Sequence, residues 1–219
     1  MPGPHVAGHV DLSVSDPQLP GFADRSDARN GYRRCATLGN VTHLPAIVRA
    51  AETQHDLDEI SKIDRTYSTD RIYRVRRSEL GFFLDEEPVS PPVQKNYPDP
   101  SPELSDRLLV ATAGAEIIGY GELRFNSWND GAEIEGLTVS GNFRSQGVGR
   151  SLVQALDERA RQERSARCLW LETQNINYPA VQFYRRLGFR LCGLDETLYR
   201  PGMPGLVPGE VALYFSRDL

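Results

Sequence analysis

A chain of 219 residues with 39% hydrophobic content can bury one substantial core and hardly two, so a single catalytic-size domain plus an extension is expected. A formal net charge of −5 argues against the basic face that a nucleic-acid partner requires, and no apolar run approaches the roughly 18 residues needed to cross a bilayer. The N-terminus lacks a basic region followed by a hydrophobic stretch, which predicts a cytoplasmic protein and not a secreted or membrane-bound one.

Residues 1–45 carry Pro2, Pro4, Pro17, Pro20 and several glycines without sustained periodicity, and read as a flexible N-terminal extension ahead of a domain over 46–219. Asp56 to Ile63 predicts a helix with Leu57, Ile60 and Ile63 on one side. Ile72 to Val75 and Phe82 to Leu84 predict short strands, and the proline-rich stretch from Pro88 to Pro102 predicts a loop. Leu108 to Ala113 and Glu116 to Phe125 alternate as a hairpin through Ala113-Gly114. Asn126 to Gly131 then turns the chain into a strand over Ile134 to Val139.

Ser151 to Gln162 predicts a helix that turns Leu152, Val153, Leu156 and Ala160 toward a sheet. Leu169 to Glu172 reads as a buried strand. In the next helix Pro179 suits the first turn, Gly188 suits a left-handed C-terminal cap, and Ala180, Phe183, Tyr184 and Leu187 share one face. Phe189 to Cys192 and Glu210 to Phe215 predict two closing strands, and no internal repeat is visible. Cys35, Cys168 and Cys192 cannot all pair within one chain, and two of them fall in predicted strands, so free buried thiols are expected. His5, His9, His43 and His55 lack ligand spacing, and no metal site is expected.

The stretch Arg144-Ser-Gln146-Gly147-Val148-Gly149-Arg150-Ser151 lies between a strand and a helix. A strand, a glycine turn and a helix start make an anion cradle, because free N–H groups of the first turn point at the guest, backed by about half a positive charge. A phosphate is the natural occupant, and Arg144 and Arg150 are placed to neutralise it. A P-loop needs Gly-Lys-Ser/Thr, and neither Lys62 nor Lys95 is nearby. A dinucleotide fingerprint needs a third glycine where Leu152 stands.

Downstream lies Asn177-Tyr-Pro-Ala180-Val-Gln-Phe183-Tyr184-Arg-Arg-Leu-Gly188-Phe189. Together the two segments resemble the paired cofactor motifs of the GNAT acyl-CoA N-acetyltransferase superfamily. Thr69-Asp-Arg-Ile-Tyr-Arg, Gly81-Phe-Phe-Leu, Leu171-Glu-Thr-Gln174 and Glu210-Val-Ala-Leu-Tyr-Phe215 are similar to its streptothricin acetyltransferase branch. The likeness runs from about Ala46 to Leu219.

The resemblance implies an α+β fold with a central mixed β-sheet splayed at the cofactor site and helices on both faces. It implies acetyl-CoA as co-substrate, held by backbone around Leu137, Thr138 and Val139, by the Gln146 to Ser151 turn, and by Asn177. It places the general acid at Tyr184, whose phenol, with an ordinary pKa of about 10, stays protonated at pH 7. An alkyl ammonium near pKa 10.4 costs about 4 to 5 kcal/mol to deprotonate at neutral pH, so a carboxylate is needed. Glu133 and Glu135 lie two apart on a strand and are expected to share a face; similar enzymes place a water-activating acid at one or the other. Glu172 is a third candidate, which in this branch holds the substrate amine.

The acidic run from Glu52 to Glu87 is compatible with a cationic acceptor, and its part between Asp64 and Glu87 is expected to build an acidic acceptor pocket together with Glu172. The expected activity is acetyl transfer to a primary amine of a cationic small molecule such as a streptothricin-like antibiotic, by a monomer or homodimer. A protein N-terminus or lysine as acceptor, and a non-catalytic acyl-CoA-binding relative, are the alternatives.

Overall fold

A computed structural model describes residues 46–219 apart from Asp99, Ser101, Ser165 and Pro204. The expected extension over 1–45, with Cys35, His5, His9 and His43, lies outside the described residues. In chain order the elements are β1 (Ile47–Ala50), α1 (Gln54–Ser61), β2 (Tyr67–Arg77), β3 (Phe82–Lys95), β4 (Leu108–Ala113), β5 (Glu116–Asn126), β6 (Gly131–Val139), α2 (Val148–Arg164), β7 (Cys168–Gln174), α3 (Tyr178–Arg186), β8 (Arg190–Asp195) and β9 (Ala212–Asp218). One sheet runs β1-β4-β5-β6-β7-β9-β8, while β2 and β3 pair as a separate hairpin. β6 and β7 are parallel, and α2 supplies the crossover that parallel pairing requires. The other neighbours in the sheet are antiparallel, which makes it mixed. No helix among the described residues is long and apolar enough to cross a membrane.

Alternation along β4 divides the core between the two faces. Leu108 and Val110 pack with Ile60 and Ile63 on the α1 side, and Leu109 and Ala111 pack with the α2 side. The expected stripe of α2 is fully buried at Leu152, Val153, Leu156 and Ala160, each large side chain contributing roughly 1.5–3 kcal/mol. α2 starts at Val148, earlier than the expected Ser151, because Gly147 at φ +91° is the last residue outside helical geometry. α3 carries proline in its first turn and ends before Gly188 at φ +85°. Its buried residues are Val181 and Tyr184; Ala180, Phe183 and Leu187 are only half-buried, so the buried face is narrower than the spacing suggested.

Three expectations change. The proline stretch is strand as far as Lys95, because β3 pairs on one side only and its register with β2 jumps from Thr69↔Val93 to Arg71↔Pro88. Pro91 and Pro92 fall in that irregularity, where no ladder hydrogen bond is asked of them. β1 is an unanticipated strand of 4 residues, tied to α1 through Arg49 and Asp56. Cys168 is half-buried but Cys192 is exposed, since β8 forms the edge of the sheet; both are free thiols.

Candidate active site

The parallel pairing of β6 with β7 ends at Ile134↔Leu171. Beyond it β6 keeps only β5 as a partner and β7 only β9, so the sheet forks between Glu135–Val139 and Glu172–Gln174. The backbone groups of Leu137, Thr138 and Val139 that do not serve β5 turn toward the gap, where an extended ligand finds donors and acceptors. The register gives the fork its shape. Leu123 pairs with Ile134 and Glu122 with Gly136, which leaves Glu135 as the extra residue of a bulge.

Glu133 and Glu135, expected to share a face, reach one and the same guanidinium but differ in exposure across the bulge. Glu133 is buried and accepts from Arg124 Nη2 at 2.7 Å and Nε at 3.0 Å, while Glu135 is exposed and lies 3.0 Å from Arg124 Nη1. One guanidinium holds both carboxylates, but only Glu135 lines the cleft. Glu133 anchors Arg124 beneath the bulge.

At the open end of the fork stands the start of α2. Among the described backbone hydrogen bonds none outside a helix is donated by Gln146, Gly147, Val148, Gly149 or Arg150, and the first-turn residues have no partner inside the helix. These consecutive N–H groups lie at the helix start where an anion cradle was expected. Ser151 does not belong to it, because its N–H donates to the Gly147 carbonyl at 3.0 Å. The glycines differ in purpose. Gly147 needs its positive φ and has open space around it, whereas a Cβ on Gly149 would sit 3.1 Å from Phe183 Cζ. Gly149 therefore serves packing within the protein.

Arg144 has a bracing role that was not expected of it. Its guanidinium donates to the carbonyls of Val139 at 2.9 Å, Thr66 at 2.8 Å and Asp64 at 3.3 Å, which ties the turn to the segment before β2. Arg150 is exposed beside the cradle, and Gln146 Nε2 donates to the Asn142 carbonyl at 2.7 Å. Asn177 caps α3 by accepting from the Ala180 N–H at 3.2 Å, and its Nδ2 donates to the Tyr97 hydroxyl at 2.9 Å. Two of its polar groups are thus engaged internally, although it also lines the cleft.

The cleft at the fork has a volume of about 680 Å³ and is lined by Glu103, Glu122, Glu135 and Glu172, with Tyr184 on its wall. Burial raises the pKa of Glu172, opposed by a hydrogen bond from Tyr199. Burial also raises Glu122, with Glu135 and Glu103 adding to it. The Tyr184 ring packs edge-on against Phe183 and Phe189, at centroid separations of 5.2 Å and 5.7 Å. Desolvation, then the proximity of Tyr97 and Glu172, raises its hydroxyl well above the ordinary phenol range, so it holds its proton at neutral pH.

The acids from Glu52 to Glu87 do not build this cleft. Asp85, Glu86 and Glu87 pair with Arg76, Arg71 and Arg74 along the β2–β3 hairpin, and Asp56 is tied to Arg49. The sequence reading also missed Tyr97, Tyr199 and Glu122. Parity along β5 is a signal that could have found Glu122, since it faces Gly136 across the bulge.

A forked parallel pair, a glycine-opened helix N-terminus and a buried tyrosine between them are what acyl transfer from a phosphate-bearing thioester needs. The family model described as "Acetyltransferase (GNAT) family" matches residues 69–189. The chain belongs to that family. As a GNAT acetyltransferase it takes its acetyl group from acetyl-CoA, for which the unpartnered N–H groups and the open space at Gly147 are suited. It is 35% identical over 172 residues to a streptothricin acetyltransferase of Streptomyces lavendulae, covering 74% of this chain and 89% of the relative. A second streptothricin acetyltransferase, from Escherichia coli, is 33% identical over 144 residues, 66% of this chain and 80% of the relative. The crystal structure of nourseothricin acetyltransferase superposes with a TM-score of 0.71 at 37% identity, covering 80% of this chain and 99% of that one. A Bacillus anthracis str. Ames structure in complex with acetyl coenzyme A gives 0.67 at 28% identity, with the same coverage.

Proposed function

We propose that this GNAT enzyme N-acetylates a cationic small molecule of the streptothricin type, with acetyl-CoA as donor and residues from about Ala46 to Leu219 as the catalytic domain. The observation that carries the reading is the row of carboxylates, Glu103, Glu122, Glu135 and Glu172, around a cleft that opens at the fork. Relatives that cover most of this chain are named for streptothricin, and a cluster of carboxylates suits a polycation. A protein N-terminus or lysine would need no such concentration of charge, and a binding-only relative would have no use for a protonated tyrosine in the wall.

The roles follow from the surroundings of each group. Bound acetyl-CoA supplies the acetyl group as a thioester, its phosphates on the Gln146 to Arg150 N–H groups and its arm along Leu137 to Val139. Glu172 receives the substrate ammonium and takes its proton. We assign this to Glu172 in preference to Glu135 because Glu135 is ion-paired with Arg124, whereas Glu172 is held by a neutral hydroxyl and its burial raises its basicity. The freed amine then attacks the acyl carbon, and a backbone N–H of the bulged strand meets the developing oxyanion. Tyr184 gives its proton to the departing sulfur, and the second proton that the attacking nitrogen sheds as the amide forms returns to the phenolate.

Incubating the purified protein with acetyl-CoA and streptothricin, while following free thiol and the mass of the antibiotic, tests the reading. Thiol release that depends on the antibiotic supports it; release with neutral amines but not with streptothricin contradicts it. Added salt should raise KM for the polycation, because exposed charges are screened over about 8–10 Å at physiological ionic strength.

A further inference from the structure

A run of hydrogen bonds with a single direction crosses the floor of the cleft. Asn177 Nδ2 donates to the Tyr97 hydroxyl at 2.9 Å, and the Tyr97 hydroxyl donates to Gln174 Oε1. Gln174 Nε2 donates to the Tyr199 hydroxyl at 2.9 Å, and Tyr199 donates to Glu172 Oε1. The other end is fixed as well, because Asn177 Oδ1 caps α3, the helix that carries Tyr184. Each hydroxyl in the run accepts from one neighbour and donates to the next, so neither tyrosine can turn without breaking a bond on both sides. Lys95, ion-paired with the buried Glu210, lies beneath the rings of Tyr97 and Tyr199 at 5.1 Å and 5.9 Å and supports them from below.

We infer that Tyr199 is a positioning residue: through the Asn177–Tyr97–Gln174–Tyr199 run it fixes the Glu172 carboxylate relative to the helix bearing Tyr184 and keeps it accepting. The inference rests on the proposed role of Glu172. Its argument is geometric. Glu172 has one oxygen held by Tyr199, which leaves the other for the substrate ammonium, and the run joins the proton acceptor to the N-terminus of the helix that holds the proton donor. The charged or titratable groups facing Glu172 are Lys95 from β3, Glu133 from β6, Tyr184 from α3, Tyr214 from β9, and Glu210, Tyr97 and Tyr199 from the intervening segments. Of these, Tyr199 is the one that donates directly to it.

The test is the pH profile of kcat/KM for streptothricin acetylation by the parent, Tyr199→Phe and Glu172→Gln. A hydrogen bond donated to a carboxylate lowers its pKa, so removing it moves the acid limb of Tyr199→Phe to higher pH, by about one unit. Tyr97→Phe, which breaks the run one step further away, should move the limb in the same direction by less. Glu172→Gln should lose the limb altogether. A Tyr199→Phe profile that parallels the parent, with Glu172→Gln still losing the limb, overturns the positioning role and leaves the Glu172 assignment standing. A Glu172→Gln enzyme that keeps both activity and limb overturns the Glu172 assignment and the run's purpose with it. Melting temperatures of the three variants separate these results from misfolding: a drop in kcat/KM at every pH together with an early melt marks a structural role and counts against the inference.

Discussion

A Cβ built on Gly149 would lie 3.1 Å from Cζ of Phe183, so the first turn of α2 and the middle of α3 touch with no room between them. The two sequence motifs are therefore one packed unit, and the phosphate cradle is held against the helix that carries Tyr184. Gly149→Ala should push the Phe183 ring aside at a cost of about 1–3 kcal/mol. Thermal unfolding should show the loss, and acetyl-CoA should bind more weakly than to the parent; a variant as stable as the parent would show that the ring yields freely.

Saturating acetyl-CoA should raise the melting temperature of the parent, since a ligand at about 100 times its Kd stabilises the fold by roughly 2.7 kcal/mol. Gly147→Asp should abolish that rise, because it forces a side chain to φ +91° and sets a negative charge among the free N–H groups. Calorimetry with and without acetyl-CoA decides the matter, and an undiminished rise in the variant would remove the cradle from the binding site.

Asp56 joins β1 to α1. Its carboxylate accepts from Arg49 at 2.7 Å and 3.0 Å and from the Glu52 and Thr53 N–H groups at 2.8 Å and 3.1 Å. The Arg49 hydrogen bond first, then the backbone donors, hold its pKa well below the usual carboxylate range against the opposing effect of burial. A depressed folded pKa gives stability that is complete above the unfolded value of about 3.9 and drains away as pH falls below it. Asp56→Ala should cost about 1–2 kcal/mol at neutral pH, from the lost capping box and charge-assisted bonds. The gap between variant and parent should narrow in acid, and urea unfolding at pH 7 and pH 3 measures it.

Much of the fold was legible because its signals are local. The apolar stripe of α2, the Pro179 start and Gly188 stop of α3, and the β4–β5 alternation each depend on residues a few positions apart, and all appear where expected. What escaped notice depends on partners distant in the chain. The difference in exposure between Glu133 and Glu135 goes with a bulge that depends on the register with β5. Glu122 belongs to the cleft because β5 lies beside β6, and Tyr199 reaches Glu172 from the segment between β8 and β9. The charges of the β2–β3 hairpin pointed to the wrong place, because cross-strand arginines claim them. Arg144 could be read only as a nearby cation, since the carbonyls it serves at Asp64 and Thr66 come from a distant loop.

The central claim is that the cleft at the fork performs chemistry, with Tyr184 as the acid that releases the thiol. Tyr184→Phe keeps the ring against Phe183 and Phe189 and removes only the hydroxyl, which makes no hydrogen bond to any described residue. The most direct measurement is kcat for streptothricin acetylation by this variant beside the parent, with the Kd for acetyl-CoA as control. The account predicts a fall of about 10²- to 10⁴-fold in kcat at an unchanged Kd. A kcat within about threefold of the parent would contradict it and leave the tyrosine as core packing.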